Sequence, residues 1–433
     1  MKEVPVSAAE MQKPQPPRWY RWTVLVLISL AMFGNYYIYD AISPLADVLT
    51  KQLNFTDSDI GLLQGIYSVP NIFMVLIGGF IIDRLGTKRS TLIFAILCLV
   101  GACITVVSGR LVFMAAGRLV FGLGAESLIV AVTTAIAKWF RGKELSFAFG
   151  INLMIARLGS FAALNSPSWA SKYYDNWQAP LFISVVFGVV CVAGAVFYWM
   201  LEAKADKVYQ IGEAGATDKV VFSDIFRFGT SYWYVVALCI TFYSGIFPFQ
   251  TFAVKFFMEA HGTSRELGGF LSSMLTLFAM IATPLFGLLA DRIGKRSLLM
   301  MFGCLLLIPV YLLMAYTHIS LYVPMAMMGI AFSLIPGIMW PSVSYLVDQS
   351  KLGTAYGLMT LIQNIGLAGF NFIIGWANDY SQASVSNPGG YTLGMLIFSI
   401  LGFVGFVFAF LLRRSETGPH AHGLETITTR GTA

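Results

Sequence analysis

The sequence contains little charge, which excludes the commonest class of protein. Only 12% of its 433 residues are Asp, Glu, Lys or Arg, whereas 57% are hydrophobic, and the mean hydropathy is +0.73. A soluble domain carries about 25% charged residues. The composition therefore excludes an ordinary soluble domain and indicates a chain whose main solvent is lipid.

The residues that build metal sites, disulfides and hydrolytic centres are also scarce. The chain has five cysteines and four histidines. The cysteines all lie in apolar runs without Cys-x-x-Cys spacing, so packing is their expected role. The histidines have no partners at metal-ligand spacing, and no Ser-His-Asp or phosphate-loop constellation is present. We therefore expect neither an enzyme nor a resident metal or cofactor.

Long apolar runs dominate the chain instead, and twelve of them can cross a bilayer, since a helical crossing needs about 20 residues. These predicted spans 1 to 12 cover about residues 22–45, 60–82, 91–108, 112–137, 145–164, 181–201, 233–254, 267–290, 298–317, 321–347, 354–377 and 391–412. The predicted fold is an all-α polytopic membrane protein with two six-helix bundles, residues 22–201 and 231–412, and a linker, residues 202–230. Residues 1–21 and 413–433 form the predicted tails.

The excess of basic residues follows this topology and does not form a nucleic-acid surface. With both termini on one side, roughly 21 of the 28 Lys and Arg fall in the tails and even-numbered loops. About five fall in the odd-numbered loops, namely Lys51, Arg110, Lys172, Lys255 and Arg265. Because basic residues accumulate on the cytoplasmic side of short loops, both termini and the linker are predicted to be cytoplasmic.

The two predicted bundles repeat each other. Asp83 after span 2 and Asp291 after span 8 lie in the same Gly-x-x-x-Asp-Arg-x-Gly segment, at an offset of about 208 residues. Two further matches keep nearly the same offset, Ala125–Ile129 with Ala331–Ile335 and Phe147–Gly150 with Thr354–Gly357. A constant offset indicates a tandem duplication in one orientation, as in transporters that rock one half against the other.

The repeated segments are candidate gate motifs. Their glycines allow helices to approach closely, and their aspartates can pair with arginine or face a helix N-terminus of the other half. Such contacts would latch the cytoplasmic side shut, although the charges alone would also serve to orient the loops. The motif residues are Gly79, Asp83, Arg84, Gly86 and Arg89 in the first half, and Gly287, Asp291, Arg292, Gly294 and Arg296 in the second.

Four charged residues lie inside the predicted spans, where charge is costly and commonly marks a solute or ion pathway. At about 1.5 Å per residue, Glu126 and Arg157 each lie roughly 18 to 20 Å from the cytoplasmic face, so we expect them to meet near mid-membrane. Asp40 and Arg118 lie roughly 28 to 30 Å from the cytoplasmic face, near the outer end of the predicted pathway. They form a second candidate acid-base pair, for proton coupling or an outer gate.

The two halves differ in sequence at the positions of Glu126 and Arg157. Aligning the halves places Phe332 opposite Glu126 and Asn364 opposite Arg157. This asymmetry favours a ligand-binding role over an ion pair whose members only neutralise each other. A neighbouring carboxylate and guanidinium suit a zwitterionic ligand, because Arg binds carboxylates bidentately.

Four uncharged residues complete the predicted substrate site, namely Asn364, Gln363, Trp340 and Tyr37. Packing explains Trp340 equally well. Tyr36, Tyr37 and Tyr39 of span 1 are equivalent candidates, and aromatic residues also form belts at the membrane surface.

The paired gate motifs resemble the signature of the major facilitator superfamily, and the resemblance covers all twelve spans. Residues 34–40, 67–71, 118–127, 139–145, 156–159, 352–357 and 363–364 are similar to the lysosomal dipeptide uniporter family within it. This resemblance implies alternating-access transport of cationic and neutral dipeptides, with Glu126 and Arg157 among the ligand contacts. The short N-terminal tail has no evident dileucine signal, so we expect a bacterial inner membrane rather than a lysosome.

Three functions remain open on these residues. The first is a dipeptide uniporter, which would also couple to protons if Asp40 titrates opposite Arg118. The second is a carrier of organic anions or sugar acids, in which Arg157 anchors the solute and Glu126 neutralises Arg157. The third is a non-transporting membrane receptor, against which two intact gate motifs argue. The expected partners are a small solute and the bilayer, with no nucleic acid; we expect a monomer and leave an accessory subunit open.

Overall fold

The computed structural model describes residues 14–140, 144–211, 227–419 and 421–428, and long helices dominate them. In chain order the helices of the spans are Arg18–Asp40 with Ala46–Leu53, Asp57–Gly65 with Ser68–Leu85, Thr87–Val107, Leu111–Phe140, Leu145–Leu164, Gln178–Val208, Thr230–His261, Arg265–Ile293, Arg296–Tyr316, Tyr322–Leu346, Leu352–Tyr380 and Thr392–Glu416. Within the described residues, eleven segments are long and apolar enough to cross a membrane. Span 2 is the twelfth if its two segments, Asp57–Met74 and Ile77–Leu85, are counted as one span bent by 58°. The predicted all-α membrane fold is confirmed.

Span 6 shows why some helices extend past their apolar runs. Its helix continues to Val208, beyond the predicted end at residue 201. The extension carries Asp206, which binds Lys88 of span 3 at 2.5 Å. A paired polar face keeps the helix intact outside the apolar layer, so hydropathy alone underestimates its length. Residues 212–226 of the predicted linker lie outside the described residues.

The first and last described segments lie on one side of the molecule. The carbonyl of Pro14 accepts a hydrogen bond from the amide of Gln210 at 3.0 Å, so the first described residues lie beside the start of the linker. Ser231, just after the linker, donates to Glu416 at the end of span 12 at 2.6 Å. We call the side of the molecule that carries these two contacts the linker side, and the opposite side the far side.

The two halves pack closely on the far side. The start of span 2 crosses the end of span 11, where a Cβ on Gly61 would lie 2.2 Å from the carbonyl oxygen of Asn371. A Cβ on Gly375 would lie 2.2 Å from the carbonyl oxygen of Asp57. No side chain fits at either place, so glycine at both positions brings the backbones of the two halves together.

Ion pairs reinforce this far-side contact. Lys255 of span 7 binds Asp57 of span 2, and both side chains are at most 5% exposed. Arg265 binds Asp47 at 2.5 Å, and the carboxylate of Asp379 accepts from the Asp57 amide at 2.8 Å. Lys255 and Arg265, predicted as basic residues of outer loops, therefore lie on helices and tie the halves together.

The linker side carries the gate motifs. Asp291 pairs with Arg296 of its own motif at 3.0 Å, while Asp83 and Arg84 are exposed. A Cβ on Gly287 would meet no described atom within 4 Å, so the close helix approach expected at Gly287 is not made in the described part of the chain. Among the described residues, the ion pairs that join the two halves lie on the far side.

A glutamate lies at the N-terminus of each helix that follows a gate motif. In the first half, Glu202 at the end of span 6 accepts from Thr87 Oγ1 at 3.0 Å. In the second half, Glu425 of the C-terminal tail accepts from the amide of Ser297 at 2.7 Å. Leu424, beside it, is fully buried. Glu425 therefore caps a backbone amide at the positive end of its helix, whereas Glu202 contacts the start of its helix through the Thr87 hydroxyl and binds Lys138 at 2.9 Å.

Candidate functional site

A cavity of about 250 Å³ lies between the two halves beneath the far-side contact. Its lining residues come from both halves and are Asn35, Tyr36, Tyr39, Asp40, Tyr67, Phe121, Ala125, Glu126, Ile129, Arg157, Ser160, Tyr243, Phe247, Gln250, Thr276, Trp340, Thr360, Gln363 and Leu367. This volume is slightly below the roughly 300 to 1,000 Å³ of common ligand pockets, which suits a small solute.

Glu126 and Arg157 both line this cavity, as the depth estimate predicts. Among the described residues, no ion pair within 4.0 Å joins them, and Glu126 forms no hydrogen bond. The Arg157 guanidinium lies over the rings of Tyr36 at 5.6 Å and Phe332 at 5.3 Å. Because ring faces attract the cation without using its N–H donors, Arg157 keeps its hydrogen-bonding capacity for a ligand.

Asp40 is a third charged group of the cavity. Its carboxyl lies beside Ser160, and Tyr36 lies among Asp40, Glu126 and Arg157. Two carboxylates and one guanidinium give the lining a formal charge of −1 when all are ionised. The cavity therefore suits a solute with at least one cationic group.

Arg118 is not the cavity partner of Asp40. It is 2% exposed, and within the described residues the two form no ion pair within 4.0 Å. Its guanidinium donates to the carbonyls of Leu63, Ile38 and Tyr39 at 3.2, 3.0 and 3.2 Å and to Gln64 Oε1 at 2.9 Å. These carbonyls belong to the last turns of two helices, where carbonyls lack helical partners and a cation is favourable. Arg118 thus caps the ends of Arg18–Asp40 and Asp57–Gly65.

The second half contributes an aromatic and amide wall. Trp340 lines the cavity and donates from Nε1 to the hydroxyl of Tyr243 at 2.9 Å. It also stacks on Tyr356, with ring centroids 6.1 Å apart. Gln363 lines the cavity too, and its Oε1 accepts from Cys239 Sγ at 3.9 Å. Trp340 and Gln363, both predicted for the substrate site, therefore line the same cavity as Glu126 and Arg157.

Asn364 and Tyr37, also predicted for the site, do not line the cavity. Asn364 is fully buried and accepts from Asn71 Nδ2 at 3.4 Å, which links the two halves. Tyr37 is buried against Phe187, with ring centroids 4.0 Å apart. Successive residues of a helix point about 100° apart, so Tyr36 faces the cavity and Tyr37 faces span 6.

Besides the tyrosines, five polar lining residues are not among the predicted site residues, namely Asn35, Ser160, Gln250, Thr276 and Thr360. Gln250 carried a usable signal, since it is the only strongly polar side chain in the run Phe247-Pro-Phe-Gln-Thr-Phe-Ala-Val254. Ser160 and Thr276 carried none, because small hydroxyl residues are common inside membrane helices.

Comparisons of the sequence agree with this architecture. The family model described as Major Facilitator Superfamily matches residues 28–370 and 249–427. The "Lysosomal dipeptide transporter MFSD1" of Bos taurus is 31% identical over 377 residues, 83% of this chain and 80% of that protein. The "Hexuronate transporter" of Escherichia coli (strain K12) is 27% identical over 179 residues, 41% of each chain.

Solved structures share the fold. A bacterial homologue of the human lysosomal transporter Spinster, crystallised in an inward-facing and unoccupied conformation, superposes with a TM-score of 0.70 at 17% identity, covering 92% of this chain and 98% of that one. A mutant form of the nucleoside transporter NupG superposes with a TM-score of 0.71 at 15% identity over 90% and 99% of the two chains. The chain therefore belongs to the Major Facilitator Superfamily and is a membrane transporter.

Proposed function

We propose that this transporter carries small zwitterionic solutes, most of all dipeptides, by alternating access of the central cavity. The observation that carries the proposal is the pair Glu126 and Arg157, which face one small cavity and do not bind each other. A ligand ammonium would bind Glu126 and a ligand carboxylate would bind Arg157. Similarity over most of the chain to the lysosomal dipeptide transporters supports this solute class.

The charge of the cavity favours cationic dipeptides among these solutes. A zwitterion neutralises Glu126 and Arg157 but leaves Asp40 unmatched. A basic side chain on the ligand would supply the remaining positive charge. Neutral dipeptides would still bind, since Asp40 has Ser160 beside it.

The proposed transport cycle exchanges the far-side contact for a linker-side one. The bundles would rock so that the far-side ion pairs open and the gate motifs approach the other half. In this cycle Gly79 and Gly287 would allow close contact, while Arg84, Arg89 and Arg292 would supply the cations. Gly86 and Gly294 end their helices with positive φ, which glycine adopts most readily. The linker side is assigned to the cytoplasm by the basic-residue count. We place the protein in a bacterial inner membrane.

Uptake into proteoliposomes tests the ligand roles directly. We expect Glu126→Gln and Arg157→Ala each to abolish uptake of a labelled dipeptide without lowering expression or thermal stability. Arg18 and Glu144 offer a matched control, because they form an exposed ion pair at 2.5 Å on the linker side. Arg18→Ala and Glu144→Gln should transport normally. Full uptake by either cavity variant would refute the proposal.

The second candidate function is transport of sugar acids or other organic anions. Similarity of part of the chain to the Escherichia coli hexuronate transporter favours this solute class. In this case Arg157 alone anchors the solute, so binding would survive Glu126→Gln. A thermal-shift panel of dipeptides and hexuronates on the purified protein separates the two solute classes.

We further propose uniport rather than proton symport. The cation predicted to lie opposite Asp40 for proton coupling is Arg118, and the guanidinium of Arg118 instead binds helix-end carbonyls. An imposed pH gradient should therefore not drive solute accumulation in proteoliposomes. Accumulation against the solute gradient would demonstrate coupling.

A further inference from the structure

We propose that Gln250 is a further ligand-binding residue, whose amide hydrogen-bonds the peptide group of the solute; this rests on the proposed dipeptide function. Gln250 lies in the middle of span 7 and lines the cavity. It is 5% exposed. It belongs to the second half, opposite Glu126 and Arg157.

The side-chain amide nitrogen of Gln250 has no partner among the described residues. This Nε2 is buried and forms no hydrogen bond, and it is the one such nitrogen or oxygen among the described residues that line the cavity. A buried amide without a partner is unfavourable, so such groups in native proteins call for an explanation. A ligand in the cavity that accepts a hydrogen bond from Gln250 Nε2 would explain this unpaired group.

Two other polar groups of the same wall already form hydrogen bonds within the protein. Trp340 Nε1 binds Tyr243 at 2.9 Å, and Thr276 Oγ1 donates to the carbonyl of Ser273 at 2.7 Å. Gln250 therefore offers the second half a polar contact that requires no existing hydrogen bond to break.

The ligand itself also requires a contact of this kind. Glu126 and Arg157 both belong to the first half. A solute that contacts one half alone binds equally well in both conformations, so it does not shift the equilibrium between them. A dipeptide placed with its termini on these charges still has an uncharged peptide group to satisfy. A glutamine amide carries one donor group and one acceptor, so either end matches an atom of that group.

The backbone of Gln250 connects this contact to the far-side closure. The hydroxyl of Ser43 donates to the Gln250 carbonyl across the two halves. Ser43 begins the short helical turn that follows Asp40 at the end of the first helix. A solute on the Gln250 amide would thus lie directly beneath a contact that must break when the far side opens.

Matched ligands test the proposal. Binding of lysylalanine and of its (E)-alkene isostere, in which –CH=CH– replaces the peptide group, is measured by calorimetry on wild-type protein, Gln250→Leu and Gln250→Asn. Gln250→Leu should weaken binding of the dipeptide about 2- to 12-fold, the value of one uncharged hydrogen bond. It should leave binding of the isostere unchanged. Gln250→Asn keeps the amide and should recover part of the affinity.

The outcomes separate this proposal from the proposed function. Equal loss for both ligands would show that Gln250 acts through packing and would overturn the proposal alone, as would unchanged binding of the dipeptide. Failure of the wild type to bind lysylalanine at all would overturn the dipeptide function and the peptide contact together. Thermal unfolding of each variant checks that a change in affinity is not a loss of fold.

Discussion

Breaking the buried ion pair between Lys255 and Asp57 should open the far side. The pair joins spans 7 and 2 across the two halves, and its side chains are 5% and 3% exposed. In Lys255→Met the Asp57 carboxylate stays buried in the closed state with only uncharged partners, such as Asn378 Nδ2 at 2.9 Å. In the open state water reaches the carboxylate, so the cost of burying an unpaired charge destabilises only the closed state.

The size of the expected free-energy shift follows from the burial of the Lys255–Asp57 pair. Removing one partner of a buried pair costs about 3 to 5 kcal/mol. Because the Asn378 hydrogen bond remains, we take the lower end, about 3 kcal/mol, which shifts a two-state equilibrium about 150-fold. A population of about 1% open would then become the major state. Lys351→Met is the matched control, because Lys351 and Asp348 form an exposed pair of side chains at 2.9 Å, worth about 0 to 1 kcal/mol.

Electron–electron distance measurements provide the assay. Spin labels at Ser171→Cys and Val385→Cys report the far-side separation, because these exposed residues lie on different halves. We expect a longer distance to appear in Lys255→Met and in Asp57→Asn, but not in Lys351→Met. The double variant should be less open than either single variant, since removing both charges leaves none unpaired. An unchanged distribution in both single variants would refute the reasoning.

Three further outcomes are expected. Arg118→Lys should lower the thermal unfolding temperature by several degrees, since a lysine cannot donate along the directions of all four hydrogen bonds, and an unchanged temperature would contradict its role as a helix-end cap. Gly61→Ala should hold the far side open in the same distance measurement, because the added Cβ would lie 2.2 Å from the carbonyl oxygen of Asn371. Its control is Gly389→Ala, where the nearest atom to the added Cβ would lie 3.8 Å away. Glu425→Ala should destabilise the second half by about 0.5 to 2 kcal/mol, the usual effect of losing a helix cap, as measured by denaturant unfolding.

The fold and the central pair of charges could be predicted because both leave strong local signals. Apolar runs of bilayer length predict the spans, and a constant offset predicts the repeat. Glu126 and Arg157 stand out because charge inside a span is rare. Thr56 also has a residue type typical of a helix N-cap, and its Oγ1 accepts from the Asp59 amide at 3.1 Å in a capping box.

The remaining site residues depend on orientation and on contacts between distant segments. Tyr36 and Tyr37 are identical in type and adjacent, and only the rotation of the helix decides which faces the cavity. Asn364 aligns with Arg157 in the repeat but turns toward Asn71 of the other half. Arg118 looks like a charge partner by depth, yet the helix ends that it caps are visible only in three dimensions.

The two glutamates beside the gate motifs also bear on how the chain is synthesised. Glu202 belongs to the first half, so that bundle has the glutamate beside its gate motif before the linker is translated. The second bundle obtains its helix cap from Glu425, and Leu424 is buried beside it. Because domains commonly fold in order as the chain emerges, the second half can form this cap only after Glu425 has left the ribosome. A tag for purification is therefore better placed ahead of Pro14 than fused close behind Glu425.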